Sequence, residues 1–313
     1  MYNVSVSPHL RSQCTTKAIM RDVAIALLPI LAFGVYHFGL AALKVIAICV
    51  VTCVLSELLF ELVAKKPITV FDYSAVVTGL ILAINLPSTA SWWMCVLGSL
   101  FAIIAVKMLF GGLGQNFMNP ALAGRCFLLI SFASRMNDFS VDGVSSATPL
   151  ALLKAGESPD LLTLFLGYHG GCIGEVSALA ILVGGLYLIV KKVISVRIPF
   201  TYIASTLIFI FIINIASGND VTVNYMLGQL LSGGLLVGAF FMATDYVTCP
   251  ITAKGQIVYG VFLGLLTALF RVLGSSAEGV SYAIIIGNLL VPIIEKITVP
   301  KPFGCEKAKG END

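Results

Sequence analysis

The sequence predicts an all-α, polytopic membrane protein of about ten transmembrane helices. Apolar residues make up 58% of the 313 residues and charged residues only 11%, and apolar segments recur along the whole chain. A soluble protein carries about a quarter charged residues, because its surface is hydrated. This chain cannot cover a water-facing globule, so we expect its apolar segments to face lipid. A formal net charge of +3 without a basic patch predicts no nucleic-acid partner.

Ten apolar segments approach the length of about 20 residues that a helix needs to cross a bilayer. The third ends with Asn85 and Pro87, and the fifth begins at Asn119 and Pro120. Short segments with polar or proline ends are typical of broken or half-depth helices that line a cavity or a ligand site. The ten segments are 22–38, 43–63, 73–86, 92–110, 120–132, 174–190, 199–216, 225–244, 256–273 and 280–294.

Basic residues predict the orientation of these segments. With a cytoplasmic N-terminus, fourteen Lys and Arg residues fall in cytoplasmic segments, four fall in outer segments and Arg125 falls inside a span. Because the excess of Lys and Arg marks cytoplasmic loops, we expect both termini in the cytoplasm. The chain then divides into a cytoplasmic segment 1–21, a first membrane repeat 22–132, an outer loop 133–173, a second membrane repeat 174–294 and a cytoplasmic tail 295–313.

The two membrane segments resemble each other. An offset of 162 pairs Gly98 with Gly260, and an offset of 159 pairs Asn85 with Thr244. These offsets match spans three to five with spans eight to ten, and a shift of five spans reverses the direction across the membrane. The sequence therefore predicts two inverted five-helix repeats with a site at their interface. Glycine and alanine are common in membrane helices, so a chance alignment is the alternative.

Four polar side chains are candidates for binding a ligand between the repeats. Asn116 and Asn119 follow a glycine-rich stretch and precede the helix start at Pro120. Glycine lets the backbone approach a planar ligand closely, and a helix start presents free N–H groups. The alternative is that the two asparagines cap buried backbone. Thr244 and Asp245 occupy the corresponding end of the eighth segment and could bind the same ligand from the other repeat.

Charged residues in the apolar segments are further candidates. Arg125 is the one basic residue well inside a predicted span, where an unpaired charge is costly. It either faces a bound anion or pairs with Glu57 or Glu61. Those two glutamates share a helix face and either serve an ion path or face the interior paired with lysine. Glu175 and Glu278 begin predicted spans, where a carboxylate interacts favourably with the helix dipole.

The outer loop contains the most informative motif of the chain. It resembles the sequence Asp-x-x-Ser-Gly-Ala-Thr, at which a flavin transferase joins FMN through its phosphate to a threonine hydroxyl. A phosphoester needs an accessible hydroxyl in a loop of small residues. The alternative is a Ser/Thr turn before a proline. The matching residues are Asp142, Ser145, Ala147 and Thr148, with Ser146 in place of the glycine.

Further stretches carry the same resemblance from Ser7 to the last span. Residues 111–121 read GGLGQNFMNPA, and similar runs occupy 72–87, 241–250 and 278–283. Together they resemble the NqrB/RnfD family, which contains the D subunit of the Rnf complex, an ion-translocating ferredoxin:NAD oxidoreductase, and the B subunit of the sodium-pumping NADH:quinone reductase. The short segment before the first span favours the D subunit. Tyr246 stands where this family has proline.

The resemblance implies two flavins in a bacterial inner membrane. FMN would be bound covalently to Thr148 on the outer side, with Arg125 in its vicinity. Riboflavin would be held non-covalently between the repeats, with Asn116, Asn119 and Thr244 or Asp245 as contacts. The outer position of Thr148 agrees with the orientation predicted from charge.

The resemblance also implies the partners and the activity. Electrons would pass between ferredoxin and NAD, coupled to translocation of Na⁺ or H⁺. The partners would be the outer G subunit with its covalent FMN, the iron–sulfur A and E subunits in the membrane, and the cytoplasmic C subunit, which binds NADH. The alternatives are a flavin-free channel or transporter on the same fold, and a scaffold protein that only holds redox partners together.

Overall fold

Long apolar helices dominate the computed structural model, which describes residues 15–141, 144–145, 148–157, 159–218, 221–274 and 279–300. Within these described residues, five helices are long and apolar enough to cross a membrane. The chain is therefore a multi-pass membrane protein, as the composition predicts. These five are α1 (Thr16–Phe38), α2 (Leu40–Val63), α10 (Arg197–Ala216), α13 (Ala253–Val272) and α14 (Val280–Thr298).

Shorter apolar helices occupy four more of the predicted segments. The helix α4 continues without a break as a π-helical segment, Phe101–Met108. None of the four is long enough to be counted as a span by its length, so the prediction of ten spans is not confirmed. The four helices are α3 (Ser74–Ile84), α4 (Trp92–Leu100), α5 (Pro120–Ser131) and α9 (Ala178–Val190).

The predicted eighth span is wrong as a single helix. It consists of α11 (Val223–Leu231) and α12 (Leu235–Val237), and α12 continues as a second π-helical segment, Gly238–Met242. The two parts are bent by 58°. The break follows from the backbone, since Ser232 is extended and Gly233 has a positive φ of 66°. Counted together, this pair raises the number of candidate spans from five to six.

The predicted outer loop contains short elements of its own. Two two-residue strands, β1 (Ser140–Val141) and β2 (Val144–Ser145), pair antiparallel. Short helices flank the hairpin, and the side chains of Thr148 and Asp160 cap two of them by accepting backbone hydrogen bonds. The helices are α6 (Ala133–Met136), α7 (Pro149–Lys154) and α8 (Leu161–Leu166).

Small residues let the long helices pack closely. A Cβ atom at Gly264 of α13 would come within 2.0 Å of the Ser205 hydroxyl of α10, and one at Gly184 of α9 would come within 2.2 Å of the Ala26 carbonyl of α1. Close approach at small residues is the usual basis of helix association in membranes. The contact between α1 and α9 joins the two halves of the chain.

Candidate functional site

A cleft lined mainly by apolar side chains lies between the two halves of the chain, and we call it the polar cleft after the polar residues that also line it. Asn116, Asn119, Thr244 and Asp245 all line it, although more than a hundred residues separate the first pair from the second. The cleft offers about 80 Å³ to solvent. The four residues that the sequence predicts as ligand contacts are therefore brought together, in a narrow space.

The hydrogen bonds of Asn119 explain its position in the cleft. Its Oδ1 accepts from the backbone N–H groups of Ala121 and Leu122, at 3.1 and 3.4 Å, and its Nδ2 donates to the Met242 carbonyl at 3.4 Å. The capping role that the sequence offers as an alternative is thus confirmed for Asn119. The same side chain also connects the start of α5 to the second half of the chain.

The other candidates are held by local contacts. Asn116 Nδ2 donates to the Met118 carbonyl at 3.1 Å, and the Thr244 hydroxyl donates to the Phe240 carbonyl at 2.7 Å. Asp245 accepts a hydrogen bond from the Thr248 hydroxyl at 3.1 Å. Burial raises the pKa of the Asp245 carboxyl above its ordinary value, and the hydrogen bond from Thr248 opposes that rise.

Both π-helical segments end at the polar cleft. Lys107 near the end of the first segment and Phe240 and Phe241 in the second contribute to its lining. Such segments are rare and occur often at functional sites, because they widen a helix and redirect its side chains. Apolar periodicity does not distinguish them from ordinary helix, so the sequence analysis missed them.

A buried ion pair lies beside the cleft. Lys107 is 2% exposed, and its Nζ lies 2.7 Å from Glu57 Oε2 and 2.6 Å from the Ser74 hydroxyl. Glu61 is also buried and accepts a hydrogen bond from the Thr69 backbone N–H at 3.0 Å. The interior, lysine-paired position predicted as one alternative is confirmed for Glu57. Lys107 is one of the fourteen basic residues counted in cytoplasmic segments, but it is buried within the π-helical segment and is not a loop lysine.

Replacing Lys107 by glutamine is expected to destabilise the protein by about 1.5–3 kcal/mol, the usual contribution of a hydrogen bond to a charged group. Glu57 would keep a polar neighbour but lose its counter-ion. Thermal unfolding of the detergent-solubilised protein measures the effect. The double variant Lys107→Gln/Glu57→Gln should recover part of the loss, whereas strictly additive losses would contradict the pairing.

Arg125 belongs to a second buried ionic cluster. Its Nη2 lies 3.3 Å from Glu175 Oε1, and its Nη1 donates to Asn85 Oδ1 at 2.5 Å. Pairing with Glu57 or Glu61, which the sequence allows, is therefore wrong, because Lys107 lies beside Glu57. The cluster connects α3, α5 and the segment before α9.

The predictions for Glu175 and for the buried basic residues also differ from the structure. Glu175 is buried at 4% exposure and lies before the first residue of α9, so it acts as the partner of Arg125 and not only as a helix-end charge. Arg125 is not the one buried basic residue, since Lys107 and Arg271 are buried as well. Glu278 lies outside the described residues.

Thr148 is the N-cap of α7, and α7 borders a second cavity, which we call the Thr148 cavity. The Thr148 hydroxyl accepts a hydrogen bond from the Ala151 backbone N–H at 3.4 Å, and Pro149 and Leu152 of α7 line the cavity. His37 of α1 also lines the cavity. The cavity offers about 470 Å³ to solvent. Asp142, Ser146 and Ala147 lie outside the described residues, and Ser145 is described only as backbone of β2.

The polar cleft and the Thr148 cavity lie at opposite ends of α1. Met20 lines the cleft and His37 lines the Thr148 cavity. With a helical rise of 1.5 Å per residue, they are roughly 26 Å apart along the helix. The arrangement therefore offers two separate sites in one chain. The sequence gives no signal for His37 and His169 as lining residues, because their spacing fits no motif.

Comparison with known proteins identifies the family. The model of the NQR2, RnfD, RnfE family matches residues 3–304. The chain is 51% identical to the D subunit of the Na(+)-translocating ferredoxin:NAD(+) oxidoreductase complex of Acetobacterium woodii, covering 98% of this chain and 97% of that protein. It is 40% identical to the D subunit of the proton-translocating ferredoxin:NAD(+) oxidoreductase complex of Clostridium ljungdahlii, with the same two shares covered. The D subunit of the ion-translocating oxidoreductase complex of Actinobacillus succinogenes is 35% identical over 97% of this chain and 98% of its own length. These homologues are named as subunits of ion-translocating oxidoreductase complexes, and the chain belongs to the NQR2, RnfD, RnfE family.

Proposed function

We propose that this chain is a membrane flavoprotein component of an Rnf complex, carrying electrons between ferredoxin and NAD with coupled translocation of Na⁺ or H⁺. The observation that carries the proposal is its 51% identity, over nearly the full length of both chains, to a D subunit of this kind. The partners would be the G, A, E and C subunits of the complex, in a bacterial inner membrane. Purification of the complex from its native host with this chain tagged tests the assembly.

The first flavin would be FMN, joined through its phosphate to the Thr148 hydroxyl. The attachment of FMN here is supported by the position of Thr148, which is half-buried and adjoins Pro149, a residue that lines a cavity of about 470 Å³. This size lies within the range of about 300–1,000 Å³ that is usual for ligand pockets. The flavin would supply the redox chemistry, and the chain would bind it, orient it and exclude water.

The second flavin would be riboflavin in the polar cleft. Asn116, Asn119, Thr244 and Asp245 supply amide, hydroxyl and carboxyl groups of the kind that a ring with alternating donors and acceptors requires. The raised pKa of Asp245 makes its carboxyl able to hold a proton nearer neutral pH than an exposed aspartate. Because the cleft offers only about 80 Å³ to solvent, its walls would have to part as the ring enters.

Filling the cleft should remove the non-covalent flavin. Leu113 is half-buried and lines the cleft, so Leu113→Trp would occupy the space that the ring needs. We expect a large loss of flavin released by denaturation, with the covalent flavin on Thr148 unchanged. Leu109→Trp is the matched control, since Leu109 is 65% exposed in the same segment. Full riboflavin content in both Leu113→Trp and Asn119→Leu would refute the assignment.

Inverted repeats are supported by the pattern of helix contacts. In the first half, α2 packs against α3 and α4, and α4 packs against α5. In the second half, α10 packs against α11 and α13, and α13 packs against α14. Contacts between α1 and α9, and between α5 and α14, join the halves at corresponding positions. These are the pairs that a two-fold axis in the membrane plane would relate, with the broken α11–α12 helix equivalent to α3.

The same proposal includes ten membrane-crossing or half-crossing segments, with both termini in the cytoplasm and Thr148 outside. Removing the buried Lys107 and Arg271 from the count of loop charges takes one residue from each side, so the excess of basic residues on the cytoplasmic side remains. Cysteine labelling from each side of intact cells tests this orientation. Labelling of the Thr148 segment only after the cells are opened would refute it.

A further inference from the structure

Three of the residues that line the Thr148 cavity carry aromatic rings, namely His37, Tyr168 and His169. His37 lies near the end of α1, and Tyr168 and His169 follow α8. The rings of His37 and Tyr168 are 6.3 Å apart between centroids and inclined at 66°. Phe33 stacks on His37 at 6.3 Å with an angle of 11° and packs edge-on against Tyr168. Phe33, His37 and Tyr168 thus support one another, and Tyr168 is 56% exposed.

The polar groups of this cavity are few and fixed. Asp160 accepts a hydrogen bond from the Thr163 hydroxyl at 2.7 Å, and this contact lowers the pKa of Asp160. Burial lowers the pKa of His169, so its imidazole is neutral at neutral pH and offers one donor and one acceptor. His169 Nδ1 lies 3.1 Å from the Gly170 carbonyl. The cavity therefore combines an aromatic surface with a small number of hydrogen-bonding groups, as sites for flat heterocycles do.

The helix α7 fixes the position of Thr148 relative to these rings. Leu153 of α7 packs against Gly228 of α11, where an added Cβ would lie 3.0 Å from the leucine side chain. Lys154 donates a hydrogen bond to the Gly274 carbonyl. These contacts anchor one face of α7 on the second half of the chain, while Leu152 lines the cavity. A group attached at Thr148 would therefore start beside Pro149, which lines the same cavity as the three rings.

We propose that the isoalloxazine ring of the flavin attached at Thr148 lies in the Thr148 cavity, stacked on Tyr168 and in contact with His37 and His169. The inference rests on the proposed attachment of FMN to Thr148, and it adds where the ring lies and which residues set its redox potential. Stacking on an aromatic face and partial exclusion from water stabilise the oxidised and reduced ring unequally. The potential of this flavin then depends on residues of α1 and of the segment after α8.

The test uses the intact complex and two substitutions that act differently. Tyr168→Leu removes the stacking partner, and Leu152→Trp fills the cavity. Each spectrum is recorded as a difference from the Thr148→Ala complex, so that only the flavin at this threonine contributes. We expect severalfold stronger flavin fluorescence for Tyr168→Leu, because a stacked tyrosine quenches flavin emission. For Leu152→Trp we expect the midpoint potential to move toward that of free FMN.

Two exposed residues provide matched controls. Tyr36→Leu changes a tyrosine of α1 that is 73% exposed and outside the cavity, and Leu162→Trp changes a leucine of α8 that is 66% exposed. Neither control should change the fluorescence or the potential. The fluorescence of the denatured protein band is measured in parallel, because it reports covalent attachment independently of where the ring lies.

The possible failures are distinguishable. A wild-type band without fluorescence would overturn the attachment of FMN, and with it this inference. A fluorescent band in every variant, together with unchanged spectra and potentials for Tyr168→Leu and Leu152→Trp, would leave the attachment intact and overturn the position of the ring. If Leu152→Trp abolishes attachment, Tyr168→Leu alone tests the position of the ring. This substitution shortens an exposed side chain and does not fill the cavity.

Discussion

A Thr148→Ala variant is expected to lose all covalent flavin from this chain. The phosphoester requires the hydroxyl oxygen, and alanine offers none, so no residual attachment should remain at this position. The fluorescence of the denatured, gel-separated chain under ultraviolet light measures the loss directly. Mass spectrometry of the peptide that contains Thr148 should find the added mass of FMN in the native protein and the bare peptide in the variant.

The matched control for this experiment is Thr222→Ala. Thr222 is also an N-cap threonine, and its hydroxyl accepts a hydrogen bond from the Tyr225 backbone N–H at 3.2 Å. Both substitutions remove a cap of similar strength, about 1 kcal/mol, so any difference in flavin content comes from the attachment and not from stability. Equal fluorescence of the two variants would refute Thr148 as the attachment residue.

Loss of electron transfer in the Thr148→Ala complex is the functional consequence. If the flavin lies on the path between ferredoxin and NAD, the assembled variant complex should lose electron transfer between ferredoxin and NAD. Reactions of the other subunits that do not need this flavin should remain. An assembled Thr148→Ala complex with full ferredoxin:NAD activity would instead favour a scaffold role for this chain.

An Arg125→Met variant is expected to be destabilised by about 3–5 kcal/mol, the usual effect of removing one partner from a buried ion pair. Methionine fills a similar volume but leaves the Glu175 carboxylate buried at 4% exposure without its cation, and Asn85 loses a hydrogen bond of 2.5 Å. Thermal unfolding in detergent measures the change. Because the cluster joins α3 and α5 to the segment before α9, unfolding should begin there.

The double variant Arg125→Met/Glu175→Gln separates the charge from the packing. Replacing the carboxylate by a neutral amide removes the unpaired charge, so the double variant should be more stable than Arg125→Met alone by several kcal/mol, in line with buried pairs elsewhere. Arg135→Met serves as a control for loss of an arginine, since Arg135 is exposed. A double variant no more stable than the single variant would contradict an ion pair between Arg125 and Glu175.

The sequence by itself determined the membrane class and most helix positions. Too few charged residues and repeated apolar segments leave lipid as the only suitable surroundings, whatever the tertiary packing. Helix starts were predicted closely where the signal is local, as at Pro120, which begins α5 after the capping Asn119. The motif around Thr148 was also recognisable from the sequence, since it depends on contiguous residues.

Only the tertiary structure decided which polar groups meet. The sequence offers more than one glutamate as a partner for Arg125. Arg125 pairs with Glu175 because α5 and the segment before α9 lie side by side. The sequence predicts Lys107 as a loop lysine, whereas in the structure it lies in the π-helical segment and pairs with Glu57. The rings of the Thr148 cavity likewise depend on contacts between residues far apart in the chain. Local patterns fix where a helix forms, whereas partners across an interface are selected by packing, which no short stretch of sequence encodes.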